Sequence, residues 1–421
     1  MRHPPQDPAP PAPVQTGIFG VPAFRLMFTT RLASMMSNQM LAVVVGWQIY
    51  ALTNSAMALG LIGLVQLMPS LMLVLVSGEV ADRFDRRVVL RWCYVVETAV
   101  VLGLLLLSLQ EKPTIALFYV LLFVNSVARI FENPSLQSLL PSLVPPALLS
   151  RAVAAYASSA RMATLLGPSI GGFIYAFGVA TDYVCCLALI ATAATASFLL
   201  PPAPRPTASR SRMTWRTMSA GVSFIWSNSL LLSVITLDTL ATLFAGLTAL
   251  LPIFAADVLD IGPWGLGILR SAPAVGALMM AVVLARTPVT RGCGWVILGG
   301  VALYGLSSIL FAFSDIAVLS VALLFVFGAA DTISAVNRKT LMQATTPNDV
   351  LGRVSAVSTL STTLGNQLGQ FESGITAAWF GAIGSVVFGG AAVLVIVAVW
   401  AWRYPELRRL ERADLAPAYA A

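Results

Sequence analysis

Runs of about twenty apolar residues recur along the chain, separated by short stretches that hold turn residues or clustered charge. A helix rising about 1.5 Å per residue needs a run of that length to cross roughly 30 Å of hydrocarbon. The pattern predicts helices near 24–51, 57–77, 88–109, 113–132, 151–178 and 181–200, then near 229–256, 263–285, 294–313, 315–336, 352–380 and 382–402. Between the sixth and seventh lies PPAPRPTASRSR, beginning at Pro201, which is too rich in Pro, Ser and Arg to cross a bilayer. The expectation is an all-α membrane protein of twelve transmembrane helices in two six-helix bundles. Residues 24–200 and 229–402 form the bundles, 201–228 a cytoplasmic connector, and 1–23 and 403–421 cytoplasmic tails, the first of them disordered.

Composition agrees and removes other classes. Hydrophobic residues make up 58% of the 421 and charged residues 10%, against roughly 25% charged in an average soluble domain. His3, the single histidine, lies in the Pro-rich leader, so no histidine can serve as catalytic base or metal ligand in the folded region. Lys112 and Lys339 follow no phosphate-cradling glycine loop. No enzyme activity, cofactor or metal site is expected. Cys93, Cys185, Cys186 and Cys293 show no C-x-x-C spacing and are expected as free thiols.

The net charge of +7 reads as topology and not as nucleic-acid binding. With the N-terminus inside, the tails and inner connections hold 21 of the 25 Lys and Arg, the outer side only Lys112, and the spans Arg31, Arg161 and Arg270. Loop cations resist translocation, so both ends are expected in the cytoplasm of a multi-pass cell-membrane protein. An internal repeat supports the two bundles. A shift of 202 residues lays Leu139–Arg151 over Leu341–Arg353, Gly167 over Gly369 and Gly172 over Gly374, as expected of pseudo-symmetric halves that rock about a midplane site.

Two motifs point to mechanism. Between helices 2 and 3 runs Gly78-Glu79-Val80-Ala81-Asp82-Arg83-Phe84-Asp85-Arg86-Arg87, which resembles the G-x-x-x-D-R-x-G-R-R signature of the major facilitator superfamily, with Asp85 in place of its glycine. The resemblance implies a conformational latch of Gly78, Asp82, Arg83, Arg86 and Arg87 that holds the outward-facing state. Asp82 would sit at the N-terminus of helix 11, and Glu132 on helix 4 would pair with Arg86. Helix 5 carries Gly167-Pro168-Ser169-Ile170-Gly171-Gly172, similar to the G-x-x-x-G-P-x-x-G-G motif of the superfamily's export-type members, mostly antiporters. Pro168 removes a backbone hydrogen bond, and Gly167, Gly171 and Gly172 let another helix approach closely. The order of helix 4, NPSLQSLLPSLVPPALLSRAVA and GPSIGG resembles the branch that holds enterobactin exporters and macrolide efflux proteins.

An ionisable group inside a bilayer costs at least about 2.5–3.5 kcal/mol on insertion scales and demands a partner or a wet cavity. Helix depth puts Glu97, Arg161 and Asp238 roughly 13–15 Å in, near the midplane. Asp238, then Glu97 and Glu372, are the candidate proton-coupling residues. Arg31, Asn38, Gln39, Trp47, Arg161, Arg270, Gln367 and Gln370 are the candidate cavity lining, with Gln66, Asn125 and Tyr156 beside them, and Arg129 and Asp331, at matching repeat positions, are candidate inner-gate residues. The expected function is export of a small or medium amphipathic molecule, siderophore- or drug-like, by alternating access in a monomer driven by proton antiport. The competing readings are a non-transporting membrane sensor or anchor, and an importer or lipid flippase.

Overall fold

The structure is a computed structural model that describes residues 17–202, 215–287, 289 and 292–410. Among the described residues all regular structure is helical. The first half holds α1 (Pro22–Thr53), α2 (Ala56–Arg83), α3 (Arg86–Ser108), α4 (Ile115–Leu143), α5 (Leu149–Tyr175) and α6 (Val179–Phe198). A short α7 (Trp215–Ser227) leads into α8 (Ser229–Phe244) and α9 (Leu247–Ile253), followed by α10 (Gly262–Arg286), α11 (Cys293–Ala312), α12 (Ala317–Thr345), α13 (Asn348–Arg403) and α14 (Pro405–Arg409).

Local chemistry sets the ends. Ser55 and Asn228 cap α2 and α8 by accepting the backbone N–H of Ala58 and Leu231 at 3.3 and 3.1 Å. Asp85 does the same for α3, accepting the N–H of Arg87 at 2.9 Å with extended φ/ψ of −62° and 113°. The position where the signature carries glycine thus needs no glycine geometry here. Partial burial pushes the Asp85 carboxyl up, but the Arg87 N–H and guanidinium outweigh it and hold it below the usual carboxylate range. Gly381, at φ 74° and ψ 167°, divides α13 into two passes, in backbone space that is essentially glycine-only.

Nine helical stretches among the described residues are long and apolar enough to cross a membrane, one of them the divided α13. Twelve passes fit when α1 and α5 are included. Those two are less apolar because they carry Asn38, Gln39 and Thr164 to the hollow described below. Within the first half α1 packs on α5 and α6, α4 on α2 and α3, and α3 on α6; within the second α12 packs on α10 and α11, and α13 on α8 and α11. The halves meet where α2 crosses α13 and α5 crosses α10. Both ends of α12 are displaced from those of α4 by 202 residues, the shift read from the sequence.

Two expectations, on the seventh span and on helices 4 and 10, need correction, and two features were not foreseen. The connector is partly helical, as α7, while residues 203–214 lie outside those described. The seventh span breaks at Ala245–Gly246, because Gly246 lies so close to the carbonyl of Gly369 that no side chain fits. Helices 4 and 10 run on to Leu143 and Thr345, since their polar extensions still bury one face, with Leu139, Leu140 and Leu341 inside. The second tail begins ordered: Leu407 of α14 is fully buried, and the backbone N–H of Gly294 on α11 donates to the carbonyl of Leu410 at 3.4 Å. The first tail's residues 1–16 lie outside the described residues.

Candidate functional site

Let the near face be the side on which α1 begins and the far face the other. Two hollows of about 430 and 380 Å3 adjoin at Thr248, which lines both. The first is framed by α8, α11, α12 and the first pass of α13, inside the second half. The second lies between the halves, with walls from α1, α2, α4, α5, α9, α10 and α13. Each is of the size that takes a drug-like molecule.

The hollow in the second half carries balanced charge. Asp238 on α8 pairs with Arg338 on α12 at 2.5 Å and accepts from the Thr362 hydroxyl on α13 at 2.7 Å. Both members of the pair are largely buried, with side chains 14% and 10% exposed. Asp331 and Lys339, one acid and one base, line the same space. Sequence reasoning missed Arg338, Lys339 and Thr362. Ending helix 10 near residue 336 put the two cations in a loop, and the polar pattern SAVNRKTLMQAT was the signal that the helix continues.

The central hollow is lined by amides. Asn38, Gln39, Gln66, Asn125 and Gln370 face it, and the Asn125 amide donates to Asn38 at 3.2 Å. Arg270 enters from α10 against Gly46, where an added Cβ would lie 3.3 Å from its guanidinium. Its Nε is buried without a hydrogen-bond partner.

Arg31 and Arg161 belong to the near-side approach. Arg161 is exposed one turn before Thr164 and on the same face of α5, and Thr164 lines the central hollow. Arg31 lies two turns before Asn38 on α1, donates to the Tyr156 hydroxyl at 2.6 Å and stacks 3.8 Å from its ring centre. Gln367 packs against Gly63 of α2. Trp47 packs edge-on to Tyr175 with ring centres 6.2 Å apart. Glu372 accepts from the Ser373 hydroxyl at 3.3 Å. None of these three lines either hollow.

Glu97 is placed differently from its expected position. It is 1% exposed inside the first half, not at the hollow, and both of its carboxylate oxygens are buried without a hydrogen-bond partner. Glu132 accepts from the Ser34 and Tyr94 hydroxyls at 2.8 Å each and lies 3.6 Å from Arg129. Apolar residues bury this face of α3 and α4, and helix depth alone could not tell it from a cavity face. The expected Arg86–Glu132 pair is therefore not formed among the described residues; Arg86 donates to the carbonyl of Ser138 at 3.0 Å, and Arg87 pairs with Asp85 at 3.0 Å. The side chains of Gly78, Asp82 and Arg83 lie outside those described. Arg129 and Asp331 sit in separate halves, Arg129 beside Glu132 and Asp331 in the hollow of the second half.

The far face is where the halves close. An added Cβ on Gly172 of α5 would lie 2.7 Å from Cα of Gly267 on α10, and one on Gly60 of α2 would lie 2.8 Å from Cα of Gly374 on α13. Gly172 and Gly374 are counterparts under the 202-residue shift, and α2 and α10 meet them from corresponding places in the two halves. Gly167 and Gly171 press on Gln39 and Met40 of α1, while Pro168 is buried and lines the central hollow. Ser169 on α5 donates to Ser271 on α10 at 2.7 Å, and the Tyr50 hydroxyl donates to the Asp257 carboxylate across the far ends of the halves.

Comparison with known proteins places this geometry. The family model described as Major Facilitator Superfamily matches residues 27–370. The Enterobactin exporter EntS of Escherichia coli strain SE11 is 27% identical over 398 residues, covering 93% of this chain and 94% of that protein. Among solved structures, a mutant of the nucleoside transporter NupG superposes with a TM-score of 0.74 at 12% identity, over 91% of this chain and 100% of that one. A bacterial homolog of the human lysosomal transporter Spinster, inward-facing and unoccupied, gives 0.71 at 13% identity over 92% and 97%.

Proposed function

Because the chain belongs to the Major Facilitator Superfamily, we propose that it is a secondary active transporter that exports a small or medium amphipathic molecule by alternating access and proton antiport. The observation that carries the reading is a hollow between two halves that close on each other at the far face, adjoined by a second hollow inside the second half. Taking the near face as cytoplasmic, as the distribution of cations implies, this is the inward-facing state, ready to load from the cell. Likeness to a curated exporter over nearly the full chain and the export-type glycines of α5 favour outward transport. The latch of Gly78, Asp82, Arg83, Arg86 and Arg87 belongs to the opposite state, in which the near ends of α2 and α13 close.

Coupling falls to Asp238. A carboxylate held by a guanidinium favours its ionised form, and protonation releases the cation. In this reading a proton reaching Asp238 frees Arg338 toward Asp331, and loss of the proton re-forms the pair. Glu97, shut inside the first half, has no contact with the hollow and is left without a coupling role.

The test is uptake of labelled candidate compounds into inverted vesicles, with and without an acid-inside gradient. The expected result is accumulation that rises with the gradient and falls severalfold in Asp238→Asn. Transport indifferent to both the gradient and the substitution removes proton coupling; no transport of any amphipathic compound removes the exporter reading.

A further inference from the structure

The three arginines placed within spans by the sequence share one property in the structure: among the described residues none forms an ion pair with a carboxylate. Arg270 has no acid among the residues lining its hollow and keeps a buried Nε without a partner. Arg31 is held by a phenol, and Arg161 is exposed at the approach. Elsewhere in the interior Arg338 is matched by Asp238 and Arg129 by Glu132, while Glu97 keeps both carboxylate oxygens buried without a hydrogen-bond partner. A guanidinium cannot shed its proton in a protein. A charge deep in a bilayer-embedded site therefore calls for an opposite charge or water, and this one is surrounded by neutral amides.

We propose that Arg270 is the recognition site for an anionic oxygen, a carboxylate or an acidic phenol, on the transported molecule, with Arg161 and Arg31 drawing it in from the near face. The inference rests on the reading of the hollow as the transport site and deepens it by naming the substrate class: amphipathic organic anions. Arg270 supplies a planar fork that matches a carboxylate with two parallel hydrogen bonds. The amides of Asn38, Gln39, Gln66, Asn125 and Gln370 supply donors and acceptors for the neutral remainder. A far-face contact lies just beyond Arg270, since Gly267, one turn before it on α10, meets Gly172 across the halves. An anion seated on Arg270 thus bears directly on the α5–α10 crossing that must open for release.

The test is ligand binding to the purified full chain in nanodiscs, read by tryptophan quenching. The probes are aryl carboxylates, the matching aryl carboxamides and the matching aryl amines. The expected result is that carboxylates bind on the order of tenfold or more tighter than their amides. That ratio falls to near one in Arg270→Gln and is largely kept in Arg270→Lys. A second arm repeats the measurement with phosphatidylglycerol added to the nanodiscs, and no loss of carboxylate binding is expected. Equal binding of acid and amide, preference for the amines, no saturable carboxylate binding, or a preference that survives in Arg270→Gln each overturns the proposal. Displacement by the anionic lipid assigns the site to a headgroup and overturns it as well. Because these readouts are of binding alone, acid-selective binding with no uptake of any amphipathic compound would sink the exporter reading and leave the anion site standing.

Discussion

At the scale of residues, charge inside the spans separates into groups with partners and groups without. Asp238 and Arg338 satisfy each other in a largely buried setting, where removing one partner strands the other and costs more than removing both. Arg338→Gln alone is expected to lower stability by about 1–3 kcal/mol, and the double variant Asp238→Asn/Arg338→Gln to recover much of that. Thermal unfolding of the single and double variants in detergent checks it, and a double variant no better than the worse single one contradicts the pairing. Asp238 could be read from the sequence because a lone acid sat amid the apolar run LLLSVITLDTLATLF. Its partner could not, because Arg338 lies a hundred residues on, at a helix end whose length depends on what it packs against. Glu97 shows the reverse error. Depth along a helix was legible, but the direction of its side chain was set by packing, which turned it into the first half and away from the hollow.

At the scale of elements, the glycines of α5 and their counterparts act as spacers. Gly172 and Gly267 touch through backbone atoms, as do Gly60 and Gly374, and backbone cannot rotate out of the way as a long side chain can. Gly172→Val is therefore expected to force α5 and α10 apart at the far face, at a cost of about 1–3 kcal/mol to this conformation. Labelling of an introduced cysteine at Ser271 by an impermeant reagent from the far side should rise severalfold in that variant. Unchanged labelling would mean that the crossing does not seal the hollow. The motif that marks α5 was visible as sequence, and so was the match of Gly172 to Gly374. Which helix each glycine met was not visible, since close approach is a property of two elements and only one is named by a motif.

At the scale of the molecule, the distribution of cations argues for the proposed topology, with both ends of the chain on the cytoplasmic side. A fluorescent reporter that matures only in the cytoplasm, fused after Ala421, should light up, whereas the same reporter placed after Asp260, between the seventh and eighth passes, should stay dark; the opposite pattern would invert the transport direction argued above. The all-helical fold, the 202-residue repeat and the class of protein were legible in the sequence alone. The bilayer imposes a fixed length of apolar chain on each pass, and length and hydropathy are properties of consecutive residues. The tertiary structure alone decided which polar groups face the hollow, that Glu97 turns away from it while Asp238 meets Arg338, and that Arg270 stands without an acid. Those outcomes depend on rotation of each helix about its axis and on packing between residues a hundred or more apart, and no local pattern encodes either.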